Sequence, residues 1–179
     1  MMAGELRAAV ETREAVPALP SAMLAAANIN PATLLATDYL NHFNEIVMLL
    51  EILPSVPELA DDVLAWQPRG YRAYFEGSSF KEKALAILAY EQADRSLRRR
   101  LEAVVEEMNR RILAAQDAVR EAVASQSLFL LDPLASLATT ELRPLIDQAS
   151  GLINGRVVRA TEEPLGHPSA QDAIDALFE

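Results

Sequence analysis

The longest regular pattern in this sequence lies between Ser96 and Ala124, where apolar residues recur every three or four positions among charged ones. The apolar stripe consists of Leu97, Leu101, Val104, Val105, Met108, Ile112, Ala115, Val119 and Val123. This spacing predicts one amphipathic α-helix on the order of 40 Å long. A helix of that length indicates a long hairpin arm or an oligomer seam. We therefore expect a helical bundle, and a homodimer through the long helix is left open.

A second helix is predicted to begin at Asn30, a favourable N-cap residue that a proline follows at the first helical position. It is predicted to end near Leu53, because Pro54 cannot continue it. Capping patterns, prolines and glycines divide the rest of the chain into shorter helices, one opening at Asp132 and a separate one capped by Thr140. No stretch has the alternation of a strand. The predicted fold class is therefore all-α.

The predicted domain organisation has four parts. Residues 1–29, which prolines interrupt, form an arm that is either mobile or wrapped on the domain. Residues 30–155 form the helical bundle. Residues 156–168 carry mixed charge with prolines and a glycine, which is typical of a linker. Residues 169–179 form a tethered helical segment, which we call the C-terminal peptide.

The composition excludes several classes of function. A net charge of −10 disfavours binding to nucleic acid or to an anionic membrane surface, and it favours a partner with a basic patch. The absence of cysteine excludes disulfides, thiolate catalysis and cysteine-type zinc sites. The longest apolar run, residues 46–50, is too short to cross a membrane, and the N-terminus lacks a signal-peptide pattern. We expect a cytoplasmic protein with no nucleic-acid partner, no membrane insertion and no cofactor.

The C-terminal peptide has the pattern of a short amphipathic helix. In a helix, Ile174, Leu177 and Phe178 share one side, and Asp172 and Asp175 lie off that side. So short a peptide does not hold a helix alone, so it should be disordered when free and helical when bound. It either binds a partner or is a final helix that folds back onto its own domain.

The C-terminal peptide also resembles a known recognition sequence. The matching residues are Gln171, Asp172, Ile174, Asp175, Leu177 and Phe178. They are similar to the receiver-binding peptide of FliM-type flagellar switch proteins and CheZ-type phosphatases in bacterial chemotaxis. The chain departs from the usual form at Ala170, where serine is usual, and at Ala173, where an acid is common. The resemblance implies that a CheY-type receiver domain is the partner and that these residues bind it.

Four polar residues of the predicted second helix, Asp38, Asn41, His42 and Glu45, are spaced to lie together opposite its main apolar stripe. The first interpretation is a solvated polar face with a local contact between Asp38 and His42. The second is receiver dephosphorylation, since phosphatases of the CheZ and CheC/CheX types present an acid and an amide from a helix. That resemblance implies that Asn41 orients the attacking water and that Asp38 or Glu45 engages the receiver's lysine. The remainder of the helix does not reproduce either family's catalytic motif.

A third interpretation makes His42 a phosphorylated histidine, because the sequence from His42 to Ile46 resembles the histidine-containing helix of histidine kinases and phosphotransfer domains. No metal site is expected, since di-iron bundles need a Glu-x-x-His motif on two helices. Here His42 precedes Glu45, and the only other histidine, His167, lies in the predicted linker. The basic run Arg98–Arg100 is predicted to be a solvated face that pairs with nearby acids.

The sequence thus predicts a signalling interaction protein that binds a CheY-type receiver through its C-terminal peptide. Two alternatives from other classes stay open. One is a CheZ-like phosphatase that acts on a phosphorylated receiver through Asp38, Asn41 and Glu45. The other is a structural helical assembly subunit with no catalytic role.

Overall fold

The computed structural model describes residues 18–156, and this range is built from α-helices joined by short turns. The α-helices are α1 (Ser21–Ala26), α2 (Asn41–Ile52), α3 (Ala60–Ala65), α4 (Tyr71–Gly77), α5 (Lys83–Gln92), α6 (Arg95–Ser125), α7 (Asp132–Leu137) and α8 (Arg143–Ile153). Turns of 3-10 helix occupy Thr37–Leu40, Pro57–Leu59 and Leu128–Leu130. The described range contains no strand beyond an isolated bridge between Ile29 and Ala36. The prediction of an all-α fold is confirmed.

The predicted long helix is α6, which at 31 residues is about 46 Å long. Asp94 caps its start, since one carboxylate oxygen accepts a hydrogen bond from the Leu97 amide at 2.8 Å. The helix ends where Gln126 adopts a left-handed φ of 55°. The buried face comprises Leu101, Val104, Val105, Met108, Ile112, Ala115, Gln116, Val119 and Ala122. Val123, in the last turn, is exposed, which corrects the end of the predicted stripe.

Other parts of the same chain cover the buried face of α6. Helix α8 packs along it, α3 packs on it, and residues 128–130 pack near its end. The apolar stripe is therefore satisfied within one chain and does not require a second copy. A homodimer through α6 stays a prediction. None of the helices in the described range is long and apolar enough to cross a membrane.

The return path alongside α6 is one continuous helical stretch from Asp132 to Ile153, not the two separate helices that the sequence predicts. A π-helical segment, Ala138–Leu142, joins α7 to α8. Pro144 follows it, and a proline both lacks an N–H group and clashes with the carbonyl four residues earlier. The wider π turn accommodates that proline. Thr140 does not cap a new helix, because its hydroxyl donates back to the Ser136 carbonyl at 2.8 Å.

The predicted start of the second helix is wrong, because residues 30–36 form a turn and an extended segment. Asn30 does act as a cap, since its side-chain oxygen accepts hydrogen bonds from two amides of the following turn at 2.8 and 3.2 Å. The turn stops at Leu34, whose φ of 61° is left-handed. The Ala36 amide then donates to the distant Tyr71 hydroxyl at 2.8 Å. A tertiary contact thus overrides the local capping signal.

The part of the predicted N-terminal arm that the structure describes belongs to the bundle. Leu24 of α1 and Ile29, just after it, are completely buried in the core. Packing of these side chains removes apolar surface from water and holds residues 18–29 on the domain. Residues 1–17 lie outside the described range.

Gln116 is an amide on the otherwise apolar face of α6, and its exposure is 0%. Its Nε2 donates to the backbone oxygens of Val63 at 2.7 Å and Trp66 at 2.8 Å. Both oxygens lie at the end of α3, where helix carbonyls lack partners within the helix. Gln116 therefore caps α3 from a different helix and holds Trp66 against the core.

We predict that Gln116→Ala lowers the free energy of unfolding by about 2–4 kcal/mol, because it leaves two buried carbonyls without donors. Gln148→Ala makes the same change at an exposed position of α8 and should cost about 0.5 kcal/mol or less. Urea unfolding followed by circular dichroism measures both. Equal midpoints for the two variants would contradict the structural role assigned to Gln116.

Candidate functional site

An open polar groove of about 440 Å³ lies between the start of α2 and α8. Its lining combines carboxylates, amides and hydroxyls with a few apolar side chains. We call it the acid–amide groove, and its residues are Thr37, Asp38, Leu40, Asn41, Asn44, Ile146, Asp147 and Ser150.

Two of the sequence-predicted site residues, Asp38 and Asn41, lie together in the acid–amide groove. Asp38 belongs to the 3-10 turn before α2, and Asn41 is the first residue of α2. The buried Tyr39 anchors this turn, because its hydroxyl donates to the Arg69 carbonyl at 2.8 Å. The acid and the amide are thus presented from the junction of two helix types instead of from one continuous helix.

Tyr74 of α4 lies beside these residues. Burial raises the pKa of its hydroxyl most, and the carboxylates of Asp38 and Glu45 raise it further. The Asn41 side chain acts in the opposite direction. A neutral hydroxyl is therefore held near an acid and an amide, where it can donate a hydrogen bond.

Sequence reasoning missed the side of the groove that α8 contributes. The sequence pattern alone makes Asp147 an ordinary surface residue, yet Asp147 and Ser150 line the groove one turn apart. Arg143 at the start of α8 forms a two-pronged ion pair with Glu51 of α2, at 2.5 and 2.6 Å, which orients the two helices. The spacing of Asp147 and Ser150 places both residues on one side of a helix, and this can be seen in the sequence. That they face Asp38 and Asn41 follows only from the packing of α8 against the 3-10 turn.

His42 does not belong to a polar face, so that prediction is wrong. It is 7% exposed, and its ring stacks on Trp66 with the ring centres 4.7 Å apart. The Trp66 indole N–H donates to the backbone carbonyl of His42 at 3.0 Å. The Nε2 atom of His42 has no hydrogen-bond partner in the described part of the chain. The ring lines a different groove from Asp38, so the predicted contact between the two is not made. Trp66 covers α2 on a side that the sequence pattern left open to solvent.

Glu45 lies in a second groove of about 500 Å³, separate from the acid–amide groove. We call it the histidine groove, and its residues are His42, Glu45, Met48, Leu49, Asp62, Ala65, Trp66, Gln67, Arg69 and Tyr74. The structure thus brings Asp38 and Asn41 together on one groove and turns Glu45 towards the other. Tyr74 lines the histidine groove together with Glu45.

The buried position of His42 changes its chemistry. Burial lowers its pKa from 6.5 to about 4, and the positive charge of Arg69 acts in the same direction, although hydrogen bonding with the Gln67 backbone opposes both. The imidazole is therefore uncharged at neutral pH. Its Nε2 is buried and its ring stacks on Trp66, so a phosphoryl donor does not reach that atom in this structure. This disfavours the prediction that His42 is phosphorylated.

The acid–amide groove can bind a cationic group and can orient a water molecule through its amides and hydroxyls. Within residues 18–156, no group of three or more histidine, aspartate or glutamate side chains could hold a metal ion. The carboxylates, amides and hydroxyls of the groove supply hydrogen bonds and charge attraction.

The predicted receiver-binding residues lie outside the described residues. They are Gln171, Asp172, Ile174, Asp175, Leu177 and Phe178. Comparison of the chain with protein-family models, curated proteins and solved structures found no match.

We predict that His42 makes stability depend on pH. Its folded pKa lies below the unfolded value, so the unfolded chain binds the proton first as the pH falls. The free energy of unfolding should therefore drop by up to about 1.4 kcal/mol per pH unit below pH 6.5, until the pH approaches the folded pKa. His42→Phe keeps a ring on Trp66 and should lose this dependence, whereas Glu45→Gln should retain it.

Urea unfolding at several pH values between 7 and 5 checks this prediction. As the pH falls, the free energy of unfolding of the wild type should decrease relative to that of His42→Phe. Parallel curves would contradict a buried, uncharged His42.

Proposed function

We propose that this protein is a signalling interaction protein that recruits a CheY-type receiver domain through its C-terminal peptide and contacts the receiver again at the acid–amide groove. The observation that carries the proposal is the place of α8. The same helix lines the acid–amide groove with Asp147 and Ser150 and ends at Ile153, shortly before the segment that leads to the peptide.

Chain length supports simultaneous contact at both places. Residues 157–168, which precede the peptide, span at most about 40 Å when fully extended. A receiver held by the peptide therefore stays within one domain diameter or so of the groove. Tethering of this kind gives effective concentrations in the millimolar range, so even a weak second contact is occupied for much of the time.

Charge supports the same arrangement. The chain carries a net charge of −10, and the carboxylates of Asp38 and Asp147 both line the groove. A receiver presents a lysine beside its phosphorylated aspartate, as the resemblance to receiver-binding proteins implies. An acidic groove attracts such a group, and the attraction weakens as salt concentration rises.

A second candidate function is dephosphorylation of the bound receiver. It is favoured by the joint position of Asp38 and Asn41 in one groove. In this reaction water attacks the phosphorus of the aspartyl phosphate, and inorganic phosphate and the free carboxylate are released. The role of Asn41 would be to orient the water, and that of Asp38 to engage the receiver's lysine. Glu45 faces the histidine groove and is the less suited acid.

For recruitment, we predict that the full chain binds a CheY-type receiver from the same organism and that Leu177→Ala with Phe178→Ala weakens binding at least about tenfold, since two buried apolar side chains are lost. Ala176→Ser is the matched control, because position 176 points away from the apolar side of the helix. Calorimetric titration with and without a phosphoryl mimic measures the dissociation constants. Absence of saturable binding would contradict recruitment and would favour the alternative of a structural helical assembly subunit.

For dephosphorylation, we predict that the full chain speeds phosphate release from a phosphorylated receiver. Asn41→Ala should lower this rate at least about tenfold, and the receiver should still bind through the C-terminal peptide. Asp61→Ala removes an exposed acid of α3 outside both grooves and should leave the rate unaltered. If receiver alone and receiver with full chain release phosphate equally fast, the phosphatase candidate fails and recruitment stands by itself.

A further inference from the structure

A groove of about 600 Å³ runs between α6 and α8, on the opposite flank of α8 from the acid–amide groove. We call it the α6–α8 groove, and its residues are Arg100, Ala103, Val104, Glu107, Leu145, Gln148 and Leu152. Apolar side chains from both helices form most of its lining, and the polar ones are Arg100, Glu107 and Gln148. Glu107 is already paired with Arg110 and Arg111, whereas Arg100 forms no ion pair in the described range. A mostly apolar groove between two helices suits the apolar side of a third, short helix.

The start of α6 carries positive charge that the described chain does not neutralise. Within residues 18–156, Arg95, Arg99 and Arg100 form no ion pair, which corrects the prediction that the basic run pairs with nearby acids. Arg98 lies over the Tyr90 ring, 5.4 Å from its centre. The first turn of a helix is itself the positive end of the helix dipole, so these arginines add like charge there. In a chain with a net charge of −10, this is a local site for an acidic partner.

We propose that the occupant of the α6–α8 groove is the chain's own C-terminal peptide. Its apolar side, Ile174, Leu177 and Phe178, matches the apolar lining of the groove. Its carboxylates at Asp172 and Asp175 match the unpaired positive charge at the start of α6.

The attachment point favours this occupant over a second molecule. Leu152 lines the groove from the last turn of α8, and the described chain ends at Arg156, immediately after that turn. For the C-terminal peptide to reach the α6–α8 groove, residues 157–168 would lead it back from the end of α8. Their extended span of about 40 Å is long enough for this. With an effective concentration in the millimolar range, a groove–peptide dissociation constant of about 1 mM is enough to keep the groove half occupied.

Docking of the C-terminal peptide in the α6–α8 groove would regulate receiver recruitment. This part of the inference rests on the proposed function. The three apolar side chains that fill the groove are those that the receiver needs, so the two contacts exclude each other. The affinity for the receiver is reduced by the fraction of chains whose peptide is docked. Any change that empties the groove should therefore strengthen recruitment.

The docking itself can be tested without a receiver. The chain has no cysteine, so Glu179→Cys provides a single site for a nitroxide spin label. In the labelled full chain, we expect broadening of the amide signals of Ala103, Leu145 and Leu152, and not of Ala65 in the histidine groove. The same label in a chain with Leu177→Ser and Phe178→Ser should leave the groove signals sharp. Sharp groove signals in both chains would overturn the proposal.

A mixed sample identifies the occupant. Isotope-labelled chain without nitroxide is combined with nitroxide-labelled chain of natural isotope content. We expect no broadening in this mixture, because the peptide docks on its own chain. Broadening in the mixture at micromolar concentration would show that a second copy supplies the peptide and would overturn the intramolecular assignment.

Receiver titration separates this inference from the proposed function. The synthetic peptide 165–179 and the full chain should both bind the receiver, and Arg100→Glu in the full chain should tighten binding about twofold, because half of the wild-type chains hold the peptide in the groove. Arg120→Glu makes the same charge change near the other end of α6, outside the groove lining, and should leave receiver binding unchanged. If neither peptide nor full chain binds, the proposed function fails while the spin-label result still decides docking. If the wild-type full chain and Arg100→Glu bind the receiver equally and the groove signals stay sharp, only the docking inference fails.

Discussion

The side chain of Gln116 couples the long helix to the short helices that carry the candidate site. A buried amide is costly without partners, and the end of α3 supplies two carbonyls that need a donor. One of these carbonyls belongs to Trp66, so the hydrogen bond from Gln116 also positions the Trp66 indole. The indole N–H then donates to the His42 carbonyl in the first turn of α2. The indole then covers His42, whereas Asp38 and Asn41, on another side of the same turn, are left at an open groove.

Helix α8 lines both the acid–amide groove and the α6–α8 groove. The neighbouring residues Asp147 and Gln148 point about 100° apart, and so they face different grooves. One flank of α8 is acidic and polar, and the other is mostly apolar with arginines close by. The C-terminal segment begins at the end of this helix, so either groove is within its reach. We propose that the peptide rests on the apolar flank and releases to hold a receiver over the polar one.

Features fixed by local chemistry could be predicted from the sequence, and those fixed by distant contacts could not. The long helix follows from its periodicity and from the Asp94 cap, both of which act within a few residues. Asn30 also caps a turn as predicted, but a hydrogen bond to Tyr71 holds the following segment extended. The pairing of Asp38 with Asn41 is visible in the sequence as a spacing. The burial of His42 is not, because it depends on an indole that another helix positions.

A receiver held by the C-terminal peptide should also contact the acid–amide groove, and this double contact is the central claim. Chemical-shift mapping of the isotope-labelled full chain during titration with unlabelled, phosphoryl-mimic receiver tests it most directly. We expect saturable shifts at Thr37, Asn44 and Ser150 that have the same midpoint as shifts in residues 171–178. Shifts confined to residues 171–178, with the groove signals unmoved at saturation, would contradict the claim.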